Sequence, residues 1–195
     1  MTVDEQRRQE RPGSPAPPQR LALASDAPRI SELMRASVLE LFPRFYDQRQ
    51  SASAAAHIAH LDMMLIEDGT YFVHEHNDET VACGGWSRRG KLYTGSGDEG
   101  DDARLLDPGT EAARVRAMFV RSDWTRRGLG RAILESCERA AHAEGFSTLV
   151  LLATLPGVPL YRSVGFRETG REMVTMPDGV ELPCVAMTRR ISVAD

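Results

Sequence analysis

The sequence has 195 residues, 42% of them hydrophobic, enough to bury one good core and, at usual domain sizes, to favour one domain over two. A formal charge of −4 at pH 7 gives a mildly acidic surface, which excludes the basic footprint that sequence-independent nucleic-acid binding and adhesion to anionic membranes require. The three cysteines, Cys83, Cys137 and Cys184, are too few and too dispersed for a disulfide framework or a zinc site.

Residues 1–19 hold four of the eleven prolines and only Met1, Val3 and Ala16 as apolar residues. So little apolar surface does not offset the entropy of ordering, which predicts a disordered tail ahead of a single domain spanning 20–195. RLALA then reads as a short strand, and Ser25 or Asp26 can cap a helix carrying Ile30, Leu33, Met34, Val38 and Leu41 at helical spacing, ended by Pro43. The alanine-rich stretch 50–67 predicts a further helix. TYFVHEH and TVACGGW predict a hairpin about Asn77-Asp78. From Ser87 to Ala113, five glycines and six acidic residues without periodicity predict an exposed insertion, whose run Asp98-Glu99-Gly100-Asp101-Asp102 reads as a solvated loop.

Order resumes with the strand RVRAMFV (114–120), which leads through SDWTRR into a helix with Leu129, Ala132, Ile133, Cys137, Ala140 and Ala141 on its apolar face, closed by Gly145. STLVLLAT (147–154) is apolar without alternation, as a strand covered on both faces would be. A short helix at about 157–164, stopped by Gly165, precedes two strands at about 166–176 and 182–190 joined by the turn Pro177-Asp178-Gly179. The cysteines read as core residues, Cys137 above all. No apolar run approaches the roughly 18 residues needed to cross a bilayer, and the polar N-terminus carries no signal core. A soluble, cytoplasmic protein is the expectation.

The segment Arg126-Arg127-Gly128-Leu129-Gly130-Arg131 places unpaired backbone N–H groups at a helix N-terminus, where the macrodipole also favours an anion. Two glycines allow close approach to a pyrophosphate, and three arginines add positive charge. Tight helix packing would use the same glycines. A P-loop would need Gly-Lys followed by Ser or Thr, which is absent. A dinucleotide fingerprint would need a small residue where Ile133 stands and an acid at the end of the next strand, which ends at Ala153-Thr154.

With these residues the sequence resembles the GCN5-related N-acetyltransferase (GNAT) superfamily. Its Gln/Arg-x-x-Gly-x-Gly/Ala hallmark is similar to Thr125-Arg126-Arg127-Gly128-Leu129-Gly130, with Thr125 the departure, and its Tyr-x-x-x-Gly-Phe signature to Tyr161-Arg162-Ser163-Val164-Gly165-Phe166. The resemblance covers most of 20–190 and implies a mixed α/β fold: a mostly antiparallel twisted sheet of about seven strands flanked by about four helices. It implies acetyl-CoA as cosubstrate, no metal, and a primary amine of a small molecule or peptide as acceptor, and it leaves a homodimer open. Coenzyme contacts are implied for Phe119, Val120, Arg126, Arg127, Gly128, Leu129, Gly130 and Arg131, and catalytic protonation of the departing thiolate for Tyr161. Thr154 stands where many relatives carry Asn. The acceptor site is implied within about 26–68 and 166–190. A CoA-binding module that regulates without turnover is the alternative.

The amine must be neutral to attack a thioester, which calls for a base. RVRAMFV offers arginines where many relatives place a glutamate, so Glu111, His74 and Asp62 are candidates by type alone. His57 with His60, and His74 with His76, have spacings a metal could use, but neither pair has a third ligand nearby.

Overall fold

The computed structural model describes residues 16–91 and 103–191. Most of the expected N-terminal tail and the acidic run 98–102 lie outside the described residues. Strand β1 (Gln19–Leu21) pairs antiparallel with β2 (Tyr71–His76), Gln19 lying opposite His74. Pro17 is buried and its carbonyl accepts a hydrogen bond from His74 Nδ1 at 2.8 Å. Ordered packing thus starts ahead of Arg20, because backbone pairing recruits residues whose composition alone gives no reason to order.

Helix α1 (Ala27–Leu41) buries Ile30, Leu33, Met34, Ser37 and Val38 and gives way to a 3₁₀ turn at Phe42–Arg44, where Pro43 forbids continuation. The stretch expected as one helix over 50–67 is two. Helix α2 (Gln48–His57) opens on a capping box: Asp47 accepts from the Gln50 amide at 2.7 Å while Gln50 Oε1 accepts from the Asp47 amide at 3.2 Å. Helix α3 (Met63–Glu67) starts anew at Asp62, whose carboxylate accepts from the Met64 amide at 3.1 Å. A side chain able to cap competes with helix continuation, and here the cap wins.

β2 turns into β3 (Glu79–Ser87) through Asn77 and Asp78, both at positive φ (49° and 62°), as a two-residue hairpin loop requires. The expected insertion has a closed base. Arg89 and Leu105 bridge, Leu106 is buried, and the Arg89 guanidinium grips Asp68 through two 2.8 Å hydrogen bonds.

β4 (Ala113–Val120) runs antiparallel to β3. Helix α4 (Leu129–Ala143) crosses over to β5 (Thr148–Thr154), which is parallel to β4. Helix α5 (Val158–Ser163) follows, then β6 (Arg167–Thr175) and β7 (Glu181–Arg190). The sheet order is β1-β2-β3-β4-β5-β7-β6, with β4–β5 the parallel neighbours. This is the expected seven-stranded, mostly antiparallel architecture, with five α-helices among the described residues where about four were expected. One core lies beneath α4, around Trp86, Ile133, Leu134 and Phe146; another lies beneath α1, around Ile30, Met34, Tyr71 and Val73.

Candidate active site

β4 and β5 hold hands at two positions only, Ala113 opposite Leu149 and Arg114 opposite Val150, while β5 stays paired with β7 along its whole length. Beyond Arg114 the two strands part, leaving the β5-facing backbone groups of the second half of β4 without strand partners. A bulge enlarges the gap. Between the pairs Cys83–Phe119 and Gly85–Arg116, β4 spends two residues, Ala117 and Met118, against Gly84 alone. Ala117 sits at φ 52°, a strained conformation for alanine, and its carbonyl accepts a 2.7 Å hydrogen bond from the Tyr71 hydroxyl. Gly84 leaves room for the Met118 side chain, since a Cβ there would overlap its Sδ and displace it. The resulting cavity of about 600 Å³ is lined by Phe119 and Val120 on one strand and Leu151, Leu152 and Thr154 on the other.

At one end of this cleft the chain leaves β4 through a 3₁₀ turn, Ser122–Trp124, and Thr125, whose hydroxyl donates to the Ser122 carbonyl at 2.8 Å. Arg126 (φ 64°) and Gly128 (φ 85°) both take left-handed backbone conformations, and Gly128 caps α4. No Cβ contact would hinder a side chain at Gly128, so glycine there answers to backbone conformation and leaves open space over the first amides of α4. Arg126, Gly128, Leu129, Gly130 and Arg131 all line the cleft. Arg127 is placed differently: its guanidinium stacks over the Trp124 ring at 4.3 Å.

Tyr161, on α5, lines the same cleft and is buried, its ring edge-on to Phe166 at 5.8 Å. Gly157 makes room for that ring, since a Cβ there would lie 2.9 Å from Tyr161 Cε2. Burial pushes the phenol's pKa above its ordinary value, with the neighbouring Cys137 thiol adding to it, so the hydroxyl stays protonated at neutral pH. Thus the cradle residues, the end of β4 and Tyr161 converge on one cavity.

The base candidates do not join them. Glu111 is held by Arg104 at 2.7 Å and by the Asp107 amide, which lower its pKa to about 2. His74 is buried on Pro17, and burial lowers its pKa. Asp62 pairs with Arg116 at 2.9 Å. None of the three lines the cleft, and the described residues that do include no Asp, Glu or His. The histidine pairs also diverge. His57 lies 3.6 Å from Asp178, His60 Nε2 meets the Ala56 carbonyl at 2.5 Å, and His76 packs on Trp124 at 4.8 Å. Among the described residues no group of three or more potential ligands could hold a metal.

Arg116 was passed over in the sequence. It lines the cleft, is 5% exposed, and its Nε and Nη2 are buried without hydrogen-bond partners. The available signal was a pair of arginines, Arg114 and Arg116, alternating with apolar residues in the strand.

The family profile described as an acetyltransferase (GNAT) domain matches residues 67–168, just over half of the chain. Among solved structures, a GCN5-related N-acetyltransferase from Rhodopseudomonas palustris is similar, with TM-score 0.68 and 19% identity over 90% of this chain and 96% of that one. PaiA N-acetyltransferase from Thermoplasma acidophilum, solved with coenzyme A, gives TM-score 0.61 and 11% identity over 89% and 98%. Salmonella typhimurium yncA, solved with acetyl-CoA, gives 0.59 and 17% over 93% and 97%. At these identities the structural likeness is one of fold. No curated protein sequence matches the chain. Among the described residues no helix is long and apolar enough to cross a membrane.

Proposed function

The chain belongs to the GNAT acetyltransferase family, and from that premise we propose that it transfers an acetyl group from acetyl-CoA to a primary amine of a small molecule or peptide, by direct attack through a tetrahedral intermediate. The observation that carries this reading is the convergence of the α4 N-terminal cradle, the unpaired end of β4 and Tyr161 on one cleft. Acetyl-CoA would supply the activated thioester. Open space over the first amides of α4, flanked by Arg126 and Arg131, suits a pyrophosphate. Leu129 and Gly130 would contribute amides to it, and Arg127 positive charge from its perch on Trp124.

Phe119 is paired with Cys83 on β3, so the β5-facing group is Val120, whose N–H would be offered to the oxyanion as attack proceeds while its carbonyl accepts from the Ser37 hydroxyl at 3.0 Å. Phe119 and Val120 together would flank the pantetheine arm. Tyr161, kept protonated by burial, would donate its proton toward the departing sulfur. Relatives solved with coenzyme A or acetyl-CoA support the choice of cosubstrate. The fold and charge of the chain suit a soluble, cytoplasmic enzyme acting without a metal, as a monomer or a homodimer.

One observation favours a second reading, a CoA-binding module without turnover: the described cleft residues include no carboxylate or imidazole to take the amine's proton. Thiol release from acetyl-CoA across an amine panel, run beside calorimetric CoA binding, separates the two. Amine-dependent release supports the enzyme; binding without release supports the module.

A further inference from the structure

Resting on the acetyltransferase reading, we propose that the acceptor is an amine that also carries a carboxylate, and that Arg116 binds that carboxylate. Ala113 and Val115 pack into the core beneath α4, so by strand alternation Arg114 and Arg116 fall on the opposite face, toward α1, α2 and α3. Arg116 accordingly meets Asp62, at the start of α3, through Nη1 at 2.9 Å. It stands next to the bulge residue Ala117 and contributes to the wall of the cleft.

A guanidinium presents its Nε–H and one Nη–H as a parallel fork that matches the two oxygens of a carboxylate. In this molecule Arg89 uses that fork on Asp68, with Nε and Nη2 each at 2.8 Å. In Arg116 the same two atoms are buried and unpartnered. Leaving charged donors unmet in a protein interior is costly, so such groups are normally paired or serve a ligand. Asp62 balances one end of Arg116 and leaves the fork to a second oxyanion.

The surroundings narrow the ligand further. Leu41, Phe42, Ile58, Val174 and Met176 line the cleft and are apolar. They lie in the two chain regions, 26–68 and 166–190, that the family resemblance implies for the acceptor. Of the charged side chains lining the cleft, Arg126 and Arg131 flank the proposed pyrophosphate cradle, which leaves Arg116 as the charge on the acceptor side among the described residues. Such a wall disfavours a simple alkylammonium and favours a compound whose carboxylate offsets its own ammonium. An amino acid with an apolar side chain, or a peptide-like equivalent, fits that chemistry.

The test uses matched acceptors: leucine, phenylalanine and methionine, their β-amino analogues, and for each the amide and the decarboxylated amine. With wild-type protein and acetyl-CoA, the carboxylated members should have kcat/KM roughly 10- to 100-fold above their amides, the worth of charge-assisted hydrogen bonds. Arg116→Lys keeps the charge and the reach to Asp62 but removes the fork, so it should bring the acid-to-amide ratio of kcat/KM down to near one. Equal turnover of acids and amides by wild-type protein, or a preference that survives Arg116→Lys in full, overturns the inference while the acetyltransferase reading stands. Thermal shift of the CoA-bound protein by the same compounds gives a readout independent of turnover. Carboxylate-dependent stabilisation lost in Arg116→Lys supports the site even if no acetylation occurs, and its absence from wild-type protein overturns it. Should Arg116→Lys misfold, Arg116→Met combined with Asp62→Asn, which removes both charges of the pair together, is read in the same way.

Discussion

Replacing Tyr161 by Phe isolates one hydroxyl. The ring keeps its edge-on contact with Phe166 at 5.8 Å and its seat against Gly157, so packing should be retained and melting should change little. What is lost is the proton offered to the leaving sulfur. Burial raises the phenol's pKa, whereas an ordinary thiol titrates near ~8.5 and an ordinary phenol near ~10, so complete transfer to the thiolate is uphill. The hydroxyl therefore acts mainly as a hydrogen-bond donor to developing negative charge, worth about 1.5–3 kcal/mol. That corresponds to a loss of roughly 10- to 100-fold in kcat, toward the lower end of general acid catalysis. Coenzyme affinity should stay within a few-fold. The wild-type rate should also show no loss of this acid up to about pH 10, since the folded pKa lies above the ordinary phenol value. The assay is thiol release under single-turnover conditions, with CoA affinity measured separately. Wild-type turnover in folded Tyr161→Phe, or a defect carried wholly by coenzyme affinity, would refute the assignment.

Three further outcomes are expected. Gly128→Asp meets no steric contact but strains the backbone at φ 85°, costing about 1–2 kcal/mol, and should weaken CoA binding at least tenfold by placing a carboxylate over the α4 amides; calorimetry on the folded variant showing unchanged affinity would remove the cradle. Asp26 is 1% exposed and bound by Arg20 at 2.6 Å and Arg29 at 2.9 Å, a pairing with Arg20 that holds its pKa well below the ordinary carboxylate value despite burial. Because the folded pKa is depressed, its contribution is fully present above the unfolded value of about 4 and is lost as pH falls below it; Asp26→Asn should cost about 2–4 kcal/mol at pH 7 and show a shrinking deficit below about pH 4, whereas a deficit constant from pH 7 to 3 would contradict the sign. Deleting residues 1–15 should leave melting and turnover unchanged on the composition argument, while deleting 1–19 should lower Tm by removing the Pro17–His74 hydrogen bond and the Gln19 pairing; equal effects of the two deletions would refute that boundary.

Much of the site could be read from local sequence because its parts are local devices. A helix start after two spaced glycines, a hairpin at Asn77-Asp78 and a proline stop at Pro43 each follow from the conformations that single residues allow. The cleft itself was implied only by the family resemblance, which makes Met118-Phe119-Val120 similar to a splayed strand, and no local signal foretold it. It arises because β4 and β5 stop pairing after Arg114 and Val150, and because a bulge is placed opposite Gly84, and both are decided between distant strands. Alanine gives no hint of a left-handed backbone at Ala117, nor arginine at Arg126. By residue type Asp62 is a candidate base, yet it serves as the cap of α3 and the partner of Arg116. Glu111 and His74 were legible as polar residues but not as residues already engaged elsewhere. Residue type proposes chemistry, and only the tertiary neighbours decide whether it is spent on structure.

The central claim, that this cleft moves an acetyl group from coenzyme A to an amine, is tested most directly by following free thiol released from acetyl-CoA as amines are added, with the acetylated product identified by mass. Release should depend on both the amine and acetyl-CoA and should fall in Gly128→Asp. Tight coenzyme binding with no amine-dependent release would contradict it.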